Sequence, residues 1–301
     1  MRRWIVIGVV LAGVGTVAPA RADGFFVQMA DPQFGMFAKP VVFSYFGWPW
    51  NDDSFQEETK LFEQAIANAN RLRPAFVVIC GDFINTPGHT GQAEEFKRIA
   101  AQLDPSISLH LLPGNHDLDN EPTSQTLAWY RENFGKDWYS FRHGAVYGIV
   151  LNSTILGEPG AVQGEVDAQL AWLRAELPRA QASSAAHILV FQHHPYFLTA
   201  PDEADGYYNL PRETRRLYLD LFKVHGVRAV LAGHYHRNAH GRDGELEMIT
   251  TGPVGRPLGD DPSGFRIVRF SPEGLAHTYY GLDEVPSVGL VRERLRQAPA
   301  K

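Results

Sequence analysis

Five short runs along the chain are apolar without regular polar alternation: Phe25 to Met29, Phe76 to Cys80, Leu109 to Leu112, Ile188 to Phe191 and Ala229 to Leu231. Their β-branched and aliphatic content predicts core strands covered on both faces. Between them apolar positions recur every three or four residues, at Phe96, Ile99, Ala100 and Leu103, at Val166, Leu170, Leu173 and Leu177, and at Leu217, Leu221 and Val224. That period predicts amphipathic helices. Alternating strands and helices imply an α/β fold with a largely parallel sheet. Ligands bind such sheets in the crevice beyond the carboxyl ends of the strands.

A polar block directly follows each run: Asp31-Pro-Gln33, Gly81-Asp82, Gly114-Asn-His116-Asp117, His193-His-Pro195 and Gly233-His-Tyr-His236. The blocks are scattered from Asp31 to His236, yet strand ends in one sheet converge, so they are expected to meet in space. Together they offer two aspartates, two amides and three histidines as ligands, a set that suits iron, manganese or zinc better than magnesium or calcium. Two ions about 3.5–4 Å apart need a ligand they can share, and a carboxylate does this well. Asp82, in the middle of the set, is the expected bridge. Gly81 and Gly233 immediately precede ligands, where the backbone must turn sharply.

The order D-x-H/Q, GD, GNHD, H-x-P, GHxH resembles the calcineurin-like metallophosphoesterase superfamily. The stretches Ala30 to Gly35, Leu151-Asn-Ser153, Phe191 to Pro195, Gly233 to Ala239 and Tyr279 to Glu284 are similar to the branch named calcineurin-like phosphoesterase domain-containing protein, a serine/threonine phosphatase in animals. The resemblance implies two packed mixed β-sheets flanked by helices, a four-layer α/β/β/α sandwich. It implies one metal held by Asp31, Gln33, Asp82 and His236, and a second by Asp82, Asn115, His193 and His234. A hydroxide bridging the ions would attack phosphorus in line, and His116 would protonate the leaving group as general acid.

Two positions depart from the commoner pattern. Gln33 stands where most members have histidine, and an amide oxygen is the weaker donor. Asn85 stands where protein-phosphatase members carry the carboxylate that partners the general-acid histidine, which leaves Asp117 as the candidate to supply that charge. Of the adjacent pair, His193 takes the ligand position two residues before Pro195. Strand alternation is expected to turn His194 the other way, to pack or hydrogen-bond.

Composition fits an enzyme of ordinary size: 301 residues, 44% hydrophobic and 21% charged, with no repeat or low-complexity linker, hence one catalytic domain over 23–301. The start differs. Met1-Arg-Arg3, the uncharged run Trp4 to Val17 and the small-x-small sites around Ala20 and Ala22 read as a secretory signal peptide over 1–22, cut after Ala22. The run is too short for a membrane anchor, so a periplasmic or secreted protein is expected. The lone Cys80 sits inside a strand and reads as a core residue.

Losing Arg2, Arg3 and Arg21 leaves 25 basic against 34 acidic side chains, a net −9. An acidic exported protein without a basic stripe is not built to grip nucleic acid. A phosphorylated small molecule or phosphorylated side chain is the expected partner. The expected reaction is phosphomonoester hydrolysis, with diester hydrolysis on nucleotides or lipid head groups the alternative, since metal ligands set the reaction and loops the substrate. A binding protein without turnover would show damage in the ligand set, yet all seven positions hold competent donors. The aromatic-rich stretch from Phe34 to Phe55 reads as a long loop that walls the cleft or simply packs.

Overall fold

The structure is a computed structural model that describes residues 23–37 and 55–296. The signal peptide expected over 1–22 and most of the aromatic-rich loop lie outside the described residues.

The strands are β1 (Gly24–Met29), β2 (Phe76–Cys80), β3 (Ser108–Leu112), β4 (Tyr139–His143), β5 (Val146–Val150), β6 (His187–Phe191), β7 (Val227–Ala232), β8 (Ala239–Asp243), β9 (Leu246–Thr250), β10 (Gly264–Ser271) and β11 (Gly274–Gly281). The helices are α1 (Gln56–Leu72), α2 (Thr90–Ala100), α3 (Asn115–Leu118), α4 (Ser124–Phe134), α5 (Thr154–Gly157), α6 (Gln163–Ala182), α7 (Arg212–Val224) and α8 (Val288–Arg296). One sheet has the order β11-β10-β1-β2-β3, the other β4-β5-β6-β7-β9-β8. Each has a parallel core, β1-β2-β3 and β5-β6-β7-β9. Antiparallel strands edge both, so the sheets are mixed rather than largely parallel.

Period-two alternation assigns the two faces of each sheet. Phe26, Phe76, Val78 and Cys80 meet Leu189, Phe191, Ala229 and Leu231 between the sheets, all fully buried. Phe26 stacks on Phe76 at 4.6 Å and meets Phe191 edge-on at 5.7 Å. Residues one step along, such as Val27, Ile79 and Val190, face outward into the core shared with the helices. Burial on both faces is what makes these strands read as continuous apolar runs.

Helix α7 departs from the sequence reading. Leu217 and Val224 are exposed at 39% and 72%, whereas Arg215, Tyr218, Leu219 and Phe222 are buried. Tyr218 and Phe222 pack on Tyr196 at 5.8 and 5.7 Å. Rings bury more apolar surface than the aliphatic stripe one position away, so they set the helix rotation.

Strands β8 and β9 are tied by the buried Glu247, whose carboxylate meets His240 Nε2 at 3.2 Å, Arg228 at 3.2 Å and Arg242 at 3.1 Å. His240, Glu247 and His277 are close enough to enclose a cation, but the two guanidinium groups already neutralise the carboxylate. Burial alone would raise Glu247, yet His277, Arg242, His240 and Arg228 bring it down to about 2. A folded value below the ordinary 4.5 gives stability that is complete above 4.5 and lost as pH falls toward 2. Glu247→Gln is therefore expected to cost about 1–3 kcal/mol at neutral pH and to flatten the acid-side fall of Tm. Equal Tm-versus-pH slopes in the two proteins would refute this.

Candidate metal centre

The five polar blocks follow the carboxyl ends of β1, β2, β3, β6 and β7. Backbone hydrogen bonds lace the loops together: Asp31 N to Gly81 O at 3.1 Å, Gln33 N to Asp82 O at 2.8 Å and Gly233 N to His193 O at 2.9 Å. Seven candidate ligands, all buried, gather there. Asp31, Asp82 and His193 offer atoms within 4.8 Å of one another. His193 Nε2 lies 3.3 Å from Asp82 Oδ2 and 3.0 Å from Asn115 Oδ1, and His236 Nε2 lies 3.5 Å from Asp31 Oδ1. The His234 ring centroid is 5.0 Å from that of His193, and both Asp31 oxygens accept from His234 N.

Tight turns make this convergence possible. Asp31, Gln33, Asp82, His234 and His236 all adopt left-handed backbone, with φ from 39° to 69°. Such conformations cost of order 1 kcal/mol each for non-glycine residues and cluster at functional sites. Gly81 has φ +80°, and a Cβ there would stand 2.6 Å from Gly114 N and from His193 Nδ1. At Gly233 a Cβ would meet Asp31 Oδ2 at 2.6 Å, so the glycines before these ligands are steric requirements.

The histidine rings have fixed tautomers. His193 Nδ1 faces Cys80 O at 2.8 Å, His234 Nε2 faces Tyr207 O at 2.9 Å and His236 Nδ1 faces Arg256 O at 2.7 Å. A carbonyl can only accept, so each of these nitrogens carries the proton and the opposite nitrogen is free to offer a lone pair. Amides behave alike. Asn115 donates through Nδ2 to Asn120 Oδ1 at 3.0 Å, and Gln33 through Nε2 to Asn85 Oδ1 at 3.1 Å. Asn115 Oδ1 is thereby left facing His193 Nε2, and Gln33 Oε1 is buried with no hydrogen-bond partner among the described residues. Acceptors crowded against acceptors around an orphaned amide oxygen fit cations.

The electrostatics agree. Burial pushes Asp31 up to about 6 against the pull of His236 and His193. Burial would also raise Asp82, but His193, His116 and His234 hold it below the usual carboxylate range. Burial opposes charge on His193, yet Asp82 and Asp31 bring it up to about 9. Two buried carboxylates thus draw a positive charge into the centre, a proton where no cation is bound.

His116 stands at the rim. Its Nδ1 lies 2.9 Å from the main-chain oxygen of Asn85, and its backbone N–H donates to Asp82 Oδ1 at 2.9 Å. Asn85 thus orients the imidazole through its carbonyl, while its side chain holds Gln33. The charge expected from Asp117 is not delivered to His116. That carboxylate accepts from Phe83 N, Ile84 N and Gly114 N at 2.9, 3.2 and 2.8 Å, pinning the α3 turn to the loop after β2.

His194 also differs from the alternation argument. Strand β6 ends at Phe191, and Ser153 Oγ then accepts both His193 N (3.1 Å) and His194 N (2.8 Å). The two rings consequently face the same cluster, with His194 centred 4.2 Å from His234 and its Nδ1 on Ser153 Oγ. Arg237, next after His236, donates from Nε and Nη2 to Leu258 O at 2.8 and 2.6 Å.

Sequence reasoning missed Ser153, although it lies in the stretch Leu151-Asn-Ser153 that helps to carry the family resemblance. It also missed Tyr207, which belongs to no motif.

The chain is similar to several known proteins. The profile described as calcineurin-like phosphoesterase matches residues 26–238. The chain is 38% identical over 278 residues to the Homo sapiens serine/threonine-protein phosphatase CPPED1, a match covering 88% of this chain and 86% of the relative. The Danio rerio protein of the same name is 37% identical over 277 residues, covering 88% and 87%. Among solved structures, a dimetal phosphatase from Danio rerio has a TM-score of 0.57 at 18% identity, covering 86% of this chain and 99% of that one. A purple acid phosphatase from yellow lupin (Lupinus luteus) seeds has a TM-score of 0.65 at 14% identity, covering 90% and 53%. Those two likenesses concern the fold.

Proposed function

This chain belongs to the calcineurin-like phosphoesterase family and is a hydrolase acting on phosphoester bonds, and from that premise we propose that it is an exported, dinuclear-metal phosphatase cleaving phosphomonoesters. The observation that carries the reading is the arrangement of lone pairs. Three histidines have one ring nitrogen committed to a carbonyl, and their other nitrogens share the centre with Asp31, Asp82, Asn115 Oδ1 and Gln33 Oε1, the last without a hydrogen-bond partner among the described residues.

In this reading Asp31, Gln33, Asp82 and His236 hold one ion, and Asp82, Asn115, His193 and His234 the other. When bound, such a pair supplies Lewis-acid polarisation of the phosphoryl oxygens and a nucleophilic oxygen at neutral pH. The chain's own residues do the rest. Asp82 spans both positions, and Asp117 fixes the turn that carries Asn115 and His116. His116, anchored through Nδ1, presents Nε2 to the cleft, where it stabilises the phosphoryl group and returns a proton to the departing oxygen. The Homo sapiens relative is named a serine/threonine-protein phosphatase, which favours a phosphorylated side chain or small monoester as substrate.

The test uses protein recovered outside the producing cell, where an N terminus at Asp23 would match the proposed export. Stripped with chelator and reloaded with manganese, iron or zinc, it is expected to hydrolyse an aryl phosphate monoester with higher kcat/KM than the matching diester. Diester preference, or turnover that survives complete stripping, would overturn the proposal.

A further inference from the structure

The geometry points to Tyr207 as a substrate-binding residue whose hydroxyl donates a hydrogen bond to a non-bridging oxygen of the phosphoryl group. The inference rests on the phosphatase reading above and adds a residue that no motif supplies. Tyr207 touches the centre in three ways. Its carbonyl accepts from His234 Nε2 at 2.9 Å, its ring centroid lies 5.0 Å from that of His234, and its hydroxyl lies 3.4 Å from Asn115 Nδ2. In the last contact the amide is the donor, so the phenolic proton remains available.

Such a donor would act beside His116. The ligand atoms of Asp31, Asp82, Gln33 and Asn115 are all acceptors, whereas a phosphoryl group demands donors, and O–H to anionic oxygen is among the stronger hydrogen bonds. Tyr207 is nevertheless 60% exposed, above ligands that are themselves buried. An exposed ring of that size at a buried polar centre is well placed to meet a substrate.

The loop that carries it is held by many hydrogen bonds, although it has neither helix nor strand between β6 and α7. Glu203 accepts from Leu198 N at 2.8 Å, Thr199 N at 2.9 Å and Asn209 Nδ2 at 2.8 Å. Arg215, buried on α7, donates to the carbonyls of Pro201, Glu203 and Leu210 at 2.9, 2.9 and 3.0 Å. Tyr207 is therefore presented in position, with little ordering left for binding.

Tyr207→Phe keeps the ring and removes only the hydroxyl. With metal content matched, it is expected to weaken inorganic phosphate binding, read by calorimetry on the metal-loaded protein, roughly 10-fold, and to lower kcat/KM on an aryl phosphate by a similar factor. Phosphate affinity equal to the native protein's overturns the inference. So does a variant that loses metal but binds phosphate normally per loaded site, since Tyr207 would then only position Asn115. The calorimetric comparison needs no turnover, so an inactive native protein would count against the phosphatase reading, while phosphate affinity would still decide the role of Tyr207.

Discussion

Asp82→Asn, reloaded with metal, is expected to hydrolyse an aryl phosphate at least about 10³-fold more slowly than the native protein, because a buried charge that faces several partners is lost. The geometry makes this nearly isosteric change severe. Asp82 Oδ1 accepts the backbone N–H of His116 at 2.9 Å, so an asparagine must keep its oxygen on that side. Its NH2 is then forced onto the side of Oδ2, which lies 3.3 Å from His193 Nε2. A donor replaces an acceptor at the position that, in the proposed assignment, would serve both cations. The substitution should leave the far-ultraviolet circular dichroism unchanged while metal content drops below two per chain. Undiminished activity with full metal loading would remove Asp82 from the bridging position and with it the paired-ion assignment.

Much of this centre is legible in the chain because its parts obey short-range rules. A strand covered on both faces shows itself as an apolar run, and a ligand placed directly after it needs no knowledge of the rest of the fold. That is why Asp31, Gln33, Asp82, Asn115, His193, His234 and His236 stand out in the sequence, and why they converge. The readings that failed depended on what surrounds an element. The rotation of α7 is decided by Tyr196 on another segment. His194 turns inward because Ser153, forty-one residues away, captures its backbone N–H after the strand has ended.

Main-chain chemistry is the other blind spot. The carbonyls of Cys80, Tyr207 and Arg256 set the three histidine tautomers, yet any residue type carries a carbonyl. Asn85 makes the point at one position. Its side chain suggests a weak substitute for a carboxylate beside His116, whereas its backbone oxygen makes that contact and its amide holds Gln33. The mixed edges of both sheets are likewise absent from the strand–helix alternation and come only with the family resemblance. A period tells that a strand is buried, not which way its neighbour runs.

His116→Ala should separate proton transfer from ion binding. The Asp82 contact comes from the backbone N–H of residue 116, which alanine retains, so metal content is expected to stay at the native level. What disappears is the imidazole anchored on Asn85 O. Loss of a positioned general acid costs typically about 10²–10⁴-fold in kcat, and the loss should track the leaving group. An alkyl phosphate expels a basic alkoxide that needs the proton, whereas a nitrophenyl phosphate expels an anion stable without it. The variant is therefore expected to lose more on the alkyl ester. Asn85→Ala provides the contrast, since its main-chain oxygen persists and only the hold on Gln33 is lost. It should weaken metal binding while keeping the native leaving-group dependence. Equal losses on both esters in His116→Ala would mean that the imidazole stabilises the phosphoryl group and that the departing oxygen takes its proton from elsewhere.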